Sequence, residues 1–210
     1  MIITRHGDFY LKFSFADKTI SINPPAKSSK KFSTKFSADI VISSLAHEDF
    51  NGVEQAEYAG KKPFFIKGAG EYEISDIFIK GFSLLSKFKG EEKMISSYTV
   101  LLDNIHIAIF GPISSGENFS NEAFEEFSNC EVFILPIGGG DTFSPKDAYK
   151  FVKQFSPSII IPVFYDKKED LEELSKEFST ELQKTDKLTL KAKDISEEKI
   201  EIFDLEIIKK

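Results

Sequence analysis

Three ionisable side chains, His47, Glu48 and Asp49, stand together after a short apolar run, Ile40-Val41-Ile42, with Ser43 and Ser44 close behind it. An imidazole and a carboxylate two positions apart can share a divalent metal, exchange a proton or orient one another. The apolar run reads as a strand, and strand ends are where layered α/β proteins build sites, because the strand fixes a loop whose backbone opens to solvent. The chain after Asp49 turns helical in pattern. A purely structural part is the simpler reading of these residues: Glu48 and Asp49 complement a helix N-terminus, and His47 can cap or pack.

The remaining candidates are weaker. His6 falls at a hairpin edge and His106 inside a β run, both read as surface or satisfied histidines. Cys130, the only cysteine, opens an apolar run, Val132-Phe133-Ile134-Leu135, and reads as a buried structural residue. Gly138-Gly139-Gly140 precedes a proline-started helix whose N-terminus could admit an anion, but it lacks the Gly-Lys-Ser/Thr of a phosphate loop and the spacing of a dinucleotide fingerprint. No serine stands in a nucleophile-elbow context. Lys27, Lys30, Lys31 and Lys35 read as a solvated, serine-rich loop.

Positioning elements follow from periodicity. Met1 to Thr4, Phe9 to Phe15 and Thr19 to Ile22 form a small meander, and Pro24-Pro25 ends it because neither can donate to a ladder. Strands are expected at 39–43, 61–66, 77–82, 98–102 and 105–110, the last two joined by Asp103-Asn104 as a tight turn. From there the chain alternates. Helices are expected after the N-caps Ser120 and Ser144 and over Lys167 to Leu182, with strands at 131–136 and 158–163 and a closing pair around Leu188-Leu190 and Asp204. A β-rich half followed by βαβα calls for two sheets packed face to face with helices outside, in one domain over residues 1–210.

Composition bounds the rest. A net charge of -7 and pI near 5.2 argue against general nucleic-acid binding, which needs a basic face to displace counterions. No apolar run reaches the roughly 18 residues of a bilayer span, and the opening MIITRHGDFYLKF has no signal pattern, so no membrane and a cytoplasmic location are expected.

The order of these pieces resembles the metallo-β-lactamase fold hydrolases, in particular their small zinc-dependent branch. MIITRHGDFYLKF resembles its first hairpin, ADIVISS its strand before the metal loop and PFFIKGAGEYEISDIFIKG its glycine-glutamate-tyrosine turn. ILPIGGGDTFSPKDAYKFVKQFSPSIIIP resembles its glycine loop, helix and strand, and KLTLKAKDISEEKIEIFDLE its terminal hairpin. The resemblance covers essentially the whole chain and implies an α/β, four-layer αββα sandwich.

The family's metal signature, His-x-His-x-Asp-His, falls on Leu45, Ala46, His47, Glu48, Asp49 and Phe50. Only His47 and Asp49 match. A further histidine expected near Ser86 is absent, the bridging aspartate falls on Pro112, and the last metal histidine falls on Phe164. Three protein donors are the usual minimum for catalytic zinc, so these five former-ligand positions, Leu45, Phe50, Ser86, Pro112 and Phe164, imply a member that has lost its di-metal centre. On this reading it has no catalytic residues and no cofactor, and it binds a small ligand or a partner protein, homo-oligomerisation being one form of that. The alternative is a residual metal-dependent hydrolase, acting on phosphodiester, lactone or thioester substrates through a zinc ion held by His47, Asp49 and a third donor such as Asp8 or Asp141.

Overall fold

The protein is described by a computed structural model over residues 1–58, 60–196 and 198–209. Its first sheet takes β1 (Ile2–Arg5), β2 (Leu11–Phe15), β3 (Lys18–Ile22), β4 (Ile40–Ile42) and β5 (Phe64–Ile66) in sequence. The second collects β6 (Gly70–Ile74), β7 (Ile77–Phe88), β8 (Glu91–Leu102), β9 (Ile105–Ile109), β10 (Val132–Pro136), β11 (Ile159–Val163) and β12 (Leu182–Thr185). Two late strands divide between them, β13 (Leu188–Thr189) joining the first sheet beside β1 and β14 (Glu201–Leu205) the second between β12 and β11. Both sheets are mixed. β3, β4 and β5 run parallel, as do β9, β10, β11 and β14, while β6 to β9 form an antiparallel meander.

One face of the second sheet carries a row of β-branched residues in direct register, Ile79, Val100, Ile107, Val132 and Ile159. These join Ile3, Leu11, Phe13, Ile20, Ile40 and Ile42 of the first sheet in one buried cluster. Each such side chain contributes about 1.5–3 kcal/mol on burial. The opposite face of the second sheet carries the helices α1 (Asn121–Ser128), α2 (Pro145–Val152) and α3 (Lys168–Glu177). Phe110 is the hub there, within 5.1 Å of the rings of Phe127, Phe133 and Phe151. Ser120 and Ser144 cap α1 and α2 by accepting from the N–H groups of Ala123 and Asp147, as expected, and the α/β four-layer class holds.

Four expectations change. The terminal hairpin does not form, because β13 pairs with β1 while β14 pairs with β11 and β12 in the other sheet. The helix after Asp49 is a single 3₁₀ turn, Val53–Gln55, so the outer layer on the first sheet is thin. The Ala26 and Gly52 N–H groups donate to the carbonyls of Glu48 and Pro24, which ties this segment to the Pro24–Ala26 strap and takes up the chain a helix would need. Helix α3 stops at Glu177 instead of continuing to Leu182; Ser179 turns left-handed, and Leu182 opens β12, which pairs parallel with β14. Finally, β7 and β8 reach far past 77–82 and 98–102, as two twelve-residue strands turning at Lys89-Gly90. That arm reaches the loop after β4.

Candidate functional site

Residues 43–45 leave β4 and cross to the other sheet. Ser43 donates its N–H to Ile66, Ser96 donates to the Ser44 carbonyl, and Leu45 bridges Ile95, which buries the Leu45 side chain. Gly111-Pro112 packs against the same corner; a Cβ at Gly111 would lie 2.6 Å from the Ser96 carbonyl oxygen, a contact no side chain tolerates. Pro112 is buried there.

Phe50 is fully buried in a ring cluster. Its centroid lies 5.5 Å from Phe88, 5.5 Å from Phe164 and 6.1 Å from Phe9. His47 stands edge-on to Phe88 at 5.2 Å. Phe164 holds a left-handed backbone, φ 56, with its N–H on the Asp8 carbonyl. A bulky residue at positive φ is strained, by about 1–3 kcal/mol, and here that strain turns a phenyl ring toward Phe50 at the position the resemblance gives to a metal histidine. Ser86 is elsewhere: it sits half-buried on β7 opposite Lys93, and the ring that enters the cluster is Phe88, two residues on along the same face.

The polar side of the cluster is an ion-pair network. Asp49, with a side chain 6% exposed, lies 3.0 Å from Lys89 Nζ. Its other oxygen accepts from Ser29 Oγ at 2.5 Å. His47 Nδ1 accepts the Asp49 N–H, and Lys89 Nζ lies 3.4 Å from His47 Nε2. Burial pushes the Asp49 carboxyl up, but the Ser29 and Lys89 hydrogen bonds and the charges of Lys89 and His47 outweigh it, leaving a net value below the usual carboxylate range. The Lys89 N–H donates to Asp141 at 2.7 Å, and Lys31 Nζ pairs with Asp8 at 2.6 Å. The loop at 27–35 is therefore no simple solvated segment: Ser29 and Lys31 reach inward, and Ser33 pairs with Gly7. Local composition could not show partners so distant in sequence.

What the arrangement can hold follows from its donors and its space. The cavity left beside Asp8, Asn23, Lys31, Asp49 and Phe164 measures only about 10 Å³, the room of one water. Asp8 and Asp141, the proposed third donors, are engaged by Lys31 and by the Lys89 N–H. Among the described residues no group of three or more His, Cys, Asp or Glu side chains is gathered closely enough to hold a metal ion. Zinc at a catalytic site takes three protein donors and an open position. The donor set present does not fit such a centre.

The other candidates resolve structurally. His6 is buried, with Nε2 on Thr4 Oγ1 and Nδ1 on Thr34 Oγ1. Cys130 is buried, and burial first, then Glu131 and Glu126, push its thiol up. His106 half-faces a groove of about 530 Å³ on the outer sheet face. The three glycines at 138–140 all adopt positive φ and shape the loop that carries Asp141.

Burial, with a smaller push from Lys12, lowers the His6 imidazole from 6.5 to about 4. The unfolded state then binds a proton that the folded state refuses, so stability is full above about pH 6.5 and falls as pH drops toward 4. Between pH 7 and pH 4.5 the expected loss is about 2 kcal/mol, at 1.36 kcal/mol per unit. Urea unfolding at pH 7 and pH 4.5 should show this drop in the wild type and a much shallower one in His6→Asn. Equal slopes would remove His6 as its source.

A core between two mixed sheets, three helices outside the second sheet, the Val53–Gln55 turn packed outside the first and a polar loop after β4 match the metallo-β-lactamase architecture. The profile of the β-lactamase superfamily domain matches residues 3–164, and the chain belongs to that superfamily. It is similar in structure to a candidate zinc-dependent hydrolase of the metallo-β-lactamase superfamily from Thermotoga maritima, at TM-score 0.71 and 20% identity over 98% of this chain and 99% of that one. A candidate metal-dependent hydrolase from Parabacteroides distasonis gives TM-score 0.68 at 17% identity, over 98% and 93% of the two chains. The isothiocyanate hydrolase from Delia radicum gut bacteria gives 0.64 at 16%, over 91% and 100%. At these identities the likeness is one of fold. No curated protein matches the chain. No helix among the described residues is long and apolar enough to cross a membrane.

Proposed function

We propose that residues 1–210 act as one cytoplasmic domain that keeps the metallo-β-lactamase fold without its hydrolytic metal centre, and that the protein works by binding a small ligand or a partner protein. The observation that carries this reading is the filled site: Phe50, Phe88 and Phe164 pack ring to ring, and about 10 Å³ remains beside Asp49. A phenyl ring cannot ligate a metal or hydrogen-bond its water, and the carboxylate that could is already neutralised by Lys89.

Untagged protein purified from zinc- and manganese-supplemented medium should carry far less than one ion per chain by mass spectrometry. Near-stoichiometric metal would sink the reading. A second reading, a residual hydrolase, draws on one observation: His47 Nδ1 remains 3.5 Å from Asp49 Oδ2, with the His47 side chain 22% exposed. It predicts metal-stimulated cleavage of phosphodiester, lactone or thioester substrates that vanishes in His47→Ala.

A further inference from the structure

The groups at the mouth of the filled site suit one kind of guest. Lys89 Nζ is met by Asp49 Oδ2 at 3.0 Å and by the Phe88 ring at 5.5 Å. Lys31 Nζ meets Asp8 Oδ2 at 2.6 Å and the Phe164 ring at 5.4 Å. A carboxylate with an aromatic face beside it is the chemistry that holds an alkylammonium, which needs acceptors and a polarisable wall and carries no obligatory coordination shell. The same rings exclude a hydrated divalent ion. We propose that the relic of the metal loop is a primary-ammonium site, occupied in cis by Lys89 from the tip of the β7–β8 arm.

The backbone of the tip argues independently for this occupancy. Lys89 has φ 51 and Gly90 φ 81, the two left-handed positions of a type I′ turn. Glycine, asparagine and aspartate suit the first of these, as Asp103 does in the Asp103-Asn104 turn of this chain, while the Ser75-Asp76 turn carries serine there. Lysine is a poor choice by local propensity. Its side chain reaches Asp49, its N–H reaches Asp141, and together these tie the arm to the loop after β4 and to the glycine loop. The lysine sets a cation beside Asp49 and between the two loops, and the inference rests on the reading that the metal centre is gone.

Lys89→Gly separates the two influences, because glycine improves the turn while removing the ammonium. Thermal unfolding should show Lys89→Gly melting about 2 °C below the wild type. Asp49→Asn/Lys89→Gly should melt no lower than Asp49→Asn alone. The side chain removed is n-butylammonium without its attachment, so n-butylammonium chloride should raise the melting temperature of Lys89→Gly more than that of the wild type or the double variant. Butan-1-ol should not, and Lys89→Met, which keeps the stem, should be destabilised without rescue. A Lys89→Gly protein as stable as the wild type, or additive losses in the double variant, would overturn the ammonium site while metal-free wild type left the proposed function standing. Stoichiometric zinc on the wild type would overturn both.

Discussion

Phe50→Ala is expected to destabilise the protein by about 4 kcal/mol and to lower its melting temperature by about 10 °C. The ring is fully buried and touches the edges or faces of Phe9, His47, Phe88 and Phe164. Truncation forfeits the transfer energy of the ring and leaves a void that its neighbours cannot close. Phe88 is held by the arm, whose tip is fixed at Asp49 and Asp141, and Phe164 is held by its N–H on the Asp8 carbonyl. The void would be walled by carbon, so it should take up benzene or xenon and leave zinc in solution. Phe32, 54% exposed near the same mouth, is the control, and Phe32→Ala should stay within about 0.5 kcal/mol of the wild type. A Phe50→Ala protein that loses less than about 1 kcal/mol would mean the rings are loosely placed and the site is open.

How far this could be read in the sequence depends on the range of each signal. The meander, the turn at Asp103-Asn104 and the serine-capped helices are local patterns, and they stand where the periodicity puts them. Leu45, Phe50, Pro112 and Phe164 were marked only by the resemblance, because each falls in a stretch with a recognisable strand beside it. Phe88 and Lys89 were not. Their arm, SLLSKFKGEEKMISS, sets Leu85 and Met94 on a solvent face, so apolar residues mark both faces and the alternation blurs. Ser86 lies on β7, two residues before Phe88, the ring that enters the site. The pairing of Ser29 and Lys31 with Asp49 and Asp8 is a non-local fact that no local pattern carries.

Arg5 is the other residue whose part only the fold discloses, although it is the only arginine among 27 basic residues. Arginine in a lysine-rich chain marks a place where a planar fork of donors is needed. Here Nε donates to the Gly7 carbonyl at 3.0 Å, Nη2 to the Asp8 carbonyl at 2.9 Å and Nη1 to Tyr165 Oη at 2.6 Å. Tyr165 in turn donates to Asp204 of β14, and the burial of its ring, with Asp204 adding to it and Arg5 opposing, leaves its hydroxyl pushed up to about 12. The Asp8 carbonyl also anchors Phe164, so the guanidinium braces the ring cluster from behind. With Arg5 2% and Asp204 8% exposed, removing one partner leaves the other without its counter-charge inside the protein. Arg5→Met is therefore expected to cost about 3–5 kcal/mol, and Tyr165→Phe, which deletes only the relay hydroxyl, about 1–2 kcal/mol. Arg5→Met/Asp204→Leu should recover part of the loss, because it removes the stranded charge as well as its partner. Chemical denaturation of the four proteins decides the point: an Arg5→Met variant within about 1 kcal/mol of the wild type, or a double variant no better than the single, would show that the fork braces nothing.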